Sequence, residues 1–102
     1  MSEIERRGSE AIVKPSEDIV ASSVRGFRQE LQSLVEEGAK ELVVDLAGIR
    51  MVDSVGLGLL IATHNSVSKA GGKLTITNAS EEIHDLLRTM RLDQHFEVRN
   101  VE

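Results

Sequence analysis

Apolar residues recur at helical spacing between residues 24 and 35, separated by charged or polar residues. The positions are Val24, Phe27, Leu31, Leu34 and Val35. This spacing places them on one face of an amphipathic helix. Ser22 or Ser23 can cap the first free N–H groups, and Gly38 can supply the left-handed residue that ends a helix. The pattern therefore predicts a helix that begins at Val24.

Two further segments have a helical pattern. Residues 57–70 predict a helix that Gly71 and Gly72 end. Its inward positions are predicted to be Leu57, Leu60, Ile61 and Val67, with His64 as an alternative member of the same face. Ser80 is placed as the cap of a third helix, which carries apolar residues at i, i+3, i+4 and i+7. Those residues are Ile83, Leu86, Leu87 and Met90.

Short runs rich in β-branched residues predict the strands. Residues 41–46 (ELVVDL) are almost continuously apolar, which is typical of a central strand that is buried on both faces. Residues 73–77 predict another strand, and residues 95–98 a short last one. Residues 11–13 predict an edge strand, because Pro15 follows and cannot donate a backbone hydrogen bond. Ile19 and Val20 are predicted to pair with it as a hairpin.

Strands and helices thus alternate along most of the chain. Such alternation implies right-handed crossovers and a largely parallel sheet, which the first hairpin makes mixed. With 102 residues the chain is long enough for one small domain. We therefore predict a single α/β domain, with a mixed, mostly parallel β-sheet and helices packed against it. Residues 1–9 are polar and are predicted to be a flexible N-terminal tail.

The charge argues against nucleic acid as a partner. Seventeen acidic and twelve basic residues give a net charge of −5, whereas binding to the phosphate backbone requires concentrated Lys and Arg. The two aromatic residues, Phe27 and Phe96, offer no platform on which bases could stack.

Several chemistries lack the residues they need. The absence of cysteine excludes disulfides and thiolate ligands. The residues His64, His84 and His95 lack the spacing of a metal site, so we expect no metal and no cofactor. The longest apolar run, residues 55–62, is far shorter than the roughly 20 residues of a membrane span. The start of the chain has no apolar segment of a signal peptide, and we expect a cytoplasmic protein without membrane insertion.

The segment RMVDSVGLGLLI, residues 50–61, places Asp53 and Ser54 between a strand and a helix. Either residue could simply cap the helix. Gly56 and Gly58 each lower helix stability by about 1 kcal/mol relative to alanine, so we expect another part of the chain to approach their backbone closely. A hydrolase elbow would need glycine where Val52 stands, and the chain has little room for a substrate pocket.

The same segment resembles the STAS family, and within it the bacterial anti-sigma factor antagonists. The resemblance rests on a D-x-x-x-[apolar]-x-[apolar]-[apolar]-D-S-x-G-L-G motif, followed by AGGKLTIT and LLRTMRLDQHFEV. The motif is met here by Asp45, Ile49, Met51, Val52, Asp53, Ser54, Gly56, Leu57 and Gly58. The resemblance implies a STAS domain over residues 10–102.

In that family the serine of the D-S-x-G motif is phosphorylated by a partner that is both a serine kinase and an anti-sigma factor. The resemblance therefore implies that unphosphorylated protein binds this partner and releases a sigma factor, with Ser54 as the phosphoacceptor. It implies a signalling module with a protein partner, and with a phosphatase as a further candidate partner, and no enzymatic activity. A STAS subunit that docks on an ABC-type lipid transport ATPase, or acts in a stress or response-regulator complex, is the alternative. A monomer and a weak dimer are both compatible with the sequence.

The expected binding surface combines two loops. Val20 stands where the family often has aspartate, and Asp18 is a candidate to replace that carboxylate. Val55 stands where a small polar residue is frequent. The residues predicted to contact the partner are Asp53, Ser54, Val55, Gly56, Leu57, Gly58, Asp18, Ser22 and Ser23.

Overall fold

A computed structural model describes residues 2–99 of the chain. In chain order the elements are β1 (Ser2–Arg7), β2 (Glu10–Pro15), α1 (Val24–Glu36), β3 (Glu41–Asp45), α2 (Ser54–Lys69), β4 (Lys73–Thr77), α3 (Glu81–Thr89), a 3₁₀ turn (Leu92–Gln94) and β5 (Glu97–Arg99). The predicted alternation of strands and helices is confirmed, and the fold is a single α/β domain.

The start of the chain corrects two predictions. Residues 2–7 are not a flexible tail, because β1 pairs antiparallel with β2 from Ser2 opposite Pro15 to Arg7 opposite Glu10. Met1 lies outside the described residues. The hairpin partner of β2 is therefore β1, and Ile19 instead forms an isolated parallel bridge with another loop. Since β1 is an edge strand that is exposed along almost all its length, it carries little of the apolar alternation that reveals a strand in a sequence.

The sheet has the strand order β1-β2-β3-β4-β5, and β2 to β5 run parallel. Right-handed crossovers between strands in consecutive order bring all three helices to the same face. The buried side chains of the helices form one continuous core with Leu42, Val44, Leu74 and Ile76, whereas Val43 stands outside that core. The predicted burial of β3 is confirmed. On the second face of β3, Val43 lies between Ile12 of β2 and Thr75 of β4, and these neighbouring strands shield it.

The helices confirm the apolar patterns with two exceptions. α1 begins at Val24 as predicted, and Gly38 has φ +98° after its end. Ser80 caps α3 by accepting a hydrogen bond from the Ile83 N–H at 3.1 Å. Ile61 and Met90 were predicted to face the core and are 37% and 54% exposed. In α2 the structure also buries Leu59, which the prediction left out. The helix begins at Ser54, three residues before the predicted start.

The end of the chain follows the prediction with a small shift. β5 covers Glu97–Arg99 and adds to β4, with Ile76 opposite Val98. The predicted strand began at residue 95, but His95 and Phe96 belong to the turn that precedes β5. Within residues 2–99, no helix has both the length and the hydropathy to cross a lipid bilayer.

Candidate functional site

Two loops leave the carboxyl ends of β2 and β3 and lie side by side. They comprise residues 16–23 and residues 46–53, and we call them the paired loops. The Ile19 N–H donates to the Met51 carbonyl at 3.1 Å, and the Asp53 N–H donates to the Ile19 carbonyl at 3.3 Å. These bonds surround the parallel bridge between Ile19 and Val52. Backbone pairing thus joins the two loops into one surface at the edge of the sheet.

Asp53 holds this surface to the start of α2. Its Oδ1 accepts a hydrogen bond from the Gly56 N–H at 2.8 Å, and its Oδ2 accepts one from the Ala21 N–H at 2.9 Å. These two bonds lower the pKa of the Asp53 carboxyl because they stabilise its charged form, and the bond from Gly56 has the larger effect. Asp53 is therefore the N-cap of α2 and carries a negative charge at neutral pH.

Asp18 and Ser23 shape the first loop. Asp18 Oδ1 accepts a hydrogen bond from the Arg50 N–H at 2.9 Å, which adds another link between the paired loops. The Ser23 hydroxyl donates to the Asp18 carbonyl and accepts from the Val20 N–H at 3.2 Å. Ser23 is the residue just before α1, but its side chain does not cap the helix. The cap predicted from Ser22 or Ser23 is therefore not formed. Two of the predicted contact residues thus have a structural function.

Gly56 and Gly58 differ in what surrounds them. A Cβ atom on Gly56 would lie 2.1 Å from the Ile19 carbonyl oxygen. The expected close approach to the backbone is therefore found at Gly56, where the first loop touches the start of α2. At Gly58 a Cβ atom would meet nothing within 4 Å, so sterics do not require glycine there.

Ser54 is exposed and is the first residue of α2. Its hydroxyl has no hydrogen-bond partner within residues 2–99, since Asp53 supplies the cap. The neighbouring Val55 is 42% exposed. A serine that neither caps the helix nor packs in the core is open to another macromolecule.

The remaining predicted contact residues fall into two groups. Leu57 is 7% exposed and Gly56 is buried, so these residues support the surface from within. Ser22 and Gly58 are exposed. Sequence reasoning missed Met51, which is 57% exposed in the second loop. Its place in the apolar part of the motif suggested a buried residue and gave no sign of exposure.

Two of the three histidines lie close to each other. The His64 and His95 rings lie 6.2 Å apart, and the His64 ring lies 5.7 Å from that of Phe96. His84 is half-buried on α3. Within residues 2–99 there is no group of three or more His, Asp or Glu residues that could hold a metal ion.

Comparisons with known proteins agree with this geometry. A family model described as STAS domain matches residues 1–102. The anti-sigma-B factor antagonist of Bacillus subtilis (strain 168) is 39% identical over 57 residues, which cover 56% of this chain and 51% of that protein. The match thus spans about half the length of this relative.

Two solved structures share the fold. An anti-sigma factor antagonist from Mycobacterium paratuberculosis superposes with a TM-score of 0.86 at 22% identity, over 97% of this chain and 84% of that one. The Bacillus cell fate determinant SpoIIAA in the phosphorylated form gives a TM-score of 0.76 at 14% identity, over 96% and 90% of the two chains.

Proposed function

Because this chain belongs to the STAS domain family, we propose that it is an anti-sigma factor antagonist switched by phosphorylation of Ser54. In the unphosphorylated form it binds a cytoplasmic protein that is both an anti-sigma factor and a serine kinase, and a sigma factor is released. The protein acts as a regulatory binding module and not as an enzyme. The observation that carries the proposal is the exposed, unbonded Ser54 hydroxyl beside the charged Asp53.

The geometry supports Ser54 as an acceptor that can be modified without unfolding. Its hydroxyl makes no hydrogen bond within residues 2–99 that a phosphoryl group would break. Asp53 keeps the cap of α2 in either state. The helix can therefore persist after phosphorylation.

The electrostatics support a loss of binding on phosphorylation. A phosphoryl group adds about −1.5 to −2 charges at neutral pH. A helix N-terminus commonly stabilises such an anion through free N–H groups, but here the Gly56 N–H is already bonded to Asp53. The added charge therefore lies next to the charged Asp53 carboxylate, on the surface proposed to meet the partner. Like charge and extra bulk in a fitted interface cost several kcal/mol of binding free energy.

The names of the relatives support the same proposed function. The Bacillus subtilis relative is named an anti-sigma-B factor antagonist, and the structure of SpoIIAA was solved in a phosphorylated form. By analogy we propose a protein partner of the anti-sigma class for this chain, and a phosphatase that restores the bare hydroxyl.

A static docking role is the second candidate. Met51 and Val55 expose apolar side chains beside Ser54, and the backbone bonds between the paired loops make a rigid surface. Such a surface suits a STAS subunit that docks permanently on a transport ATPase or within a signalling complex, without modification.

The deciding experiment uses a protein from the same organism that has both anti-sigma factor and serine kinase activity. We expect incubation with the kinase and ATP to add one phosphoryl group at Ser54, located by mass spectrometry, and Ser54→Ala to abolish it. Ser22→Ala, which removes another exposed serine of the paired loops, should leave phosphorylation unchanged. Binding to the partner with Ser54 left unmodified would favour the static docking role.

Binding measurements then test the electrostatic argument. Ser54→Asp should bind the partner at least about tenfold more weakly than Ser54→Asn, its uncharged isostere of the same bulk, which corresponds to about 1.4 kcal/mol. Both variants should melt within about 2 °C of each other, because the Ser54 hydroxyl has no hydrogen-bond partner among the residues that the structure describes. Equal loss of binding in the two variants would contradict the role of charge.

A further inference from the structure

A groove lies beside the paired loops, between residues 15–19 and α1. Its volume is about 400 Å³, which is within the range of ligand-binding clefts. Buried Pro15, Ile19 and Phe27 contribute its apolar lining. We propose that this groove, which we call the α1 groove, receives an arginine side chain of the protein partner.

The rim of the α1 groove is acidic and is not neutralised by the fold. Glu17, Asp18 and Glu30 line it. Within residues 2–99, none of the three carboxylates forms an ion pair with Lys or Arg, although four other acidic residues do. Three uncompensated negative charges around one apolar groove attract a cation, and the effect is strongest where solvent is partly excluded.

Two of these carboxylates are held in place. Glu30 Oε1 accepts a hydrogen bond from the Ser2 hydroxyl at 2.8 Å, and its Oε2 accepts one from the Ser2 N–H at 3.1 Å. Asp18 uses Oδ1 for the Arg50 N–H, and its Oδ2 has no donor within residues 2–99. The charges are therefore fixed before a cation arrives, which lowers the entropic cost of binding.

Gly26 keeps the groove open. It is the third residue of α1, where glycine lowers helix stability by about 1 kcal/mol relative to alanine. A Cβ atom there would meet nothing within 4 Å, so packing does not explain the glycine. Because Gly26 lines the groove, any side chain at this position would project into it.

An arginine of the partner fits these features better than a free cation would. Its guanidinium is weakly hydrated and planar, and it packs well on aromatic surface such as Phe27 while its stem covers apolar residues. Asp18 and Ile19 belong both to the groove and to the paired loops, so the groove continues the surface around Ser54. The inference rests on the proposed function for the identity of the partner.

The test uses N-acetyl-arginine amide as the probe and N-acetyl-citrulline amide as its uncharged isostere. Each is titrated into the ¹⁵N-labelled full chain at low ionic strength, and amide shifts are followed by NMR. We expect saturable shifts at Gly26, Phe27 and Ile19 with the arginine probe and not with the citrulline probe. Added salt should weaken the binding.

Variants locate the site. Glu17→Gln and Glu30→Gln should each weaken probe binding by about threefold, within the range for partly exposed ion pairs. Gly26→Leu should abolish it by filling the groove. Glu36→Gln, on an exposed carboxylate of the same helix that does not line the groove, should leave it unchanged. Equal shifts with both probes, shifts that map elsewhere, or no saturable shifts would overturn the proposal.

Ser54→Asp separates this inference from the proposed function. The variant should still bind the arginine probe, because Ser54 does not line the groove and the added negative charge does not oppose a cation. If the variant loses the partner and the wild type ignores the probe, the groove proposal alone is wrong. If the probe binds but Ser54 does not control the partner, the phosphorylation switch is wrong.

Discussion

The contact between Gly56 and the first loop can be tested by adding a single methyl group. In Gly56→Ala the new Cβ would lie 2.1 Å from the Ile19 carbonyl oxygen, whereas ordinary van der Waals contact begins at 3.4 Å. The obstructing atom belongs to the backbone and cannot rotate away. The loop and the start of α2 must therefore separate by more than 1 Å, which breaks the hydrogen bond from the Asp53 N–H to the Ile19 carbonyl.

The expected cost follows from these changes. Overpacking of this kind costs about 1–3 kcal/mol, and the lost hydrogen bond costs about 1 kcal/mol more. Alanine in a helix returns about 1 kcal/mol relative to glycine. We expect Gly56→Ala to lower the free energy of unfolding by about 1–3 kcal/mol.

Gly58→Ala is the matched control in the same helix. Because a Cβ there meets nothing within 4 Å, only the helical gain of up to about 1 kcal/mol remains, and the variant should be more stable than the wild type. Thermal unfolding followed by circular dichroism should separate the two variants by at least about 4 °C, at about 4–8 °C per kcal/mol for a domain of this size. If both variants are stabilised equally, the contact with Ile19 is wrong.

Further predictions concern pH, caps and packing. Since hydrogen bonds lower the pKa of Asp53 in the folded state, its charge stabilises the fold above the ordinary pKa of aspartate, and this contribution is lost as the pH falls below about 4. The stability difference between wild type and Asp53→Asn, measured by urea unfolding, should therefore shrink on acidification from pH 5 to pH 3; a constant difference would contradict this. Ser80→Ala should cost about 1 kcal/mol in the same assay because it removes the cap of α3, while Ser22→Ala should cost nothing measurable. Leu60→Ala should cost about 2–5 kcal/mol, because the side chain is fully buried, and Ile61→Ala no more than about 1 kcal/mol; similar costs would contradict the observed orientation of α2.

The parts of the fold that bury an apolar stripe could be predicted from the sequence. α1 shows this best, because Phe27 and Leu31 face the core at the spacing that its pattern indicated. The same reasoning missed β1. Its pairing depends on backbone hydrogen bonds at the edge of the sheet, and these have no signature in side-chain polarity.

The orientation of α2 was predicted only in part, because residues 57–62 are almost continuously apolar and do not mark a single face. The apolar pattern begins at Leu57, but Asp53 caps the helix and adds Ser54 as its first residue. Among these apolar residues the structure buries Leu59 and leaves Ile61 near solvent. A cap residue thus carries more information about the boundary than the first apolar residue does.

The contacts within the candidate site could not be predicted from the sequence. The motif pointed to Asp53 and Ser54 as a pair. The structure shows that the Asp53 carboxylate also links the two loops, because it accepts a hydrogen bond from the Ala21 N–H. These two residues are 32 positions apart in the chain. Long-range contacts of this kind depend on the packing of the whole domain.

The direction of the strands determines which residues can carry a label without disturbing the paired loops. β1 runs opposite to the other strands, so Ser2 lies at the same edge as Pro15, and Arg99, at the far end of β5, lies next to the end of β4. A bulky label attached at Ser2 or Arg99 would therefore lie at the edge that carries the paired loops and would crowd them. A dye on a cysteine introduced at the exposed Lys69 would sit at the opposite end of α2, roughly 22 Å from Ser54, in a chain with no native cysteine to compete for the label.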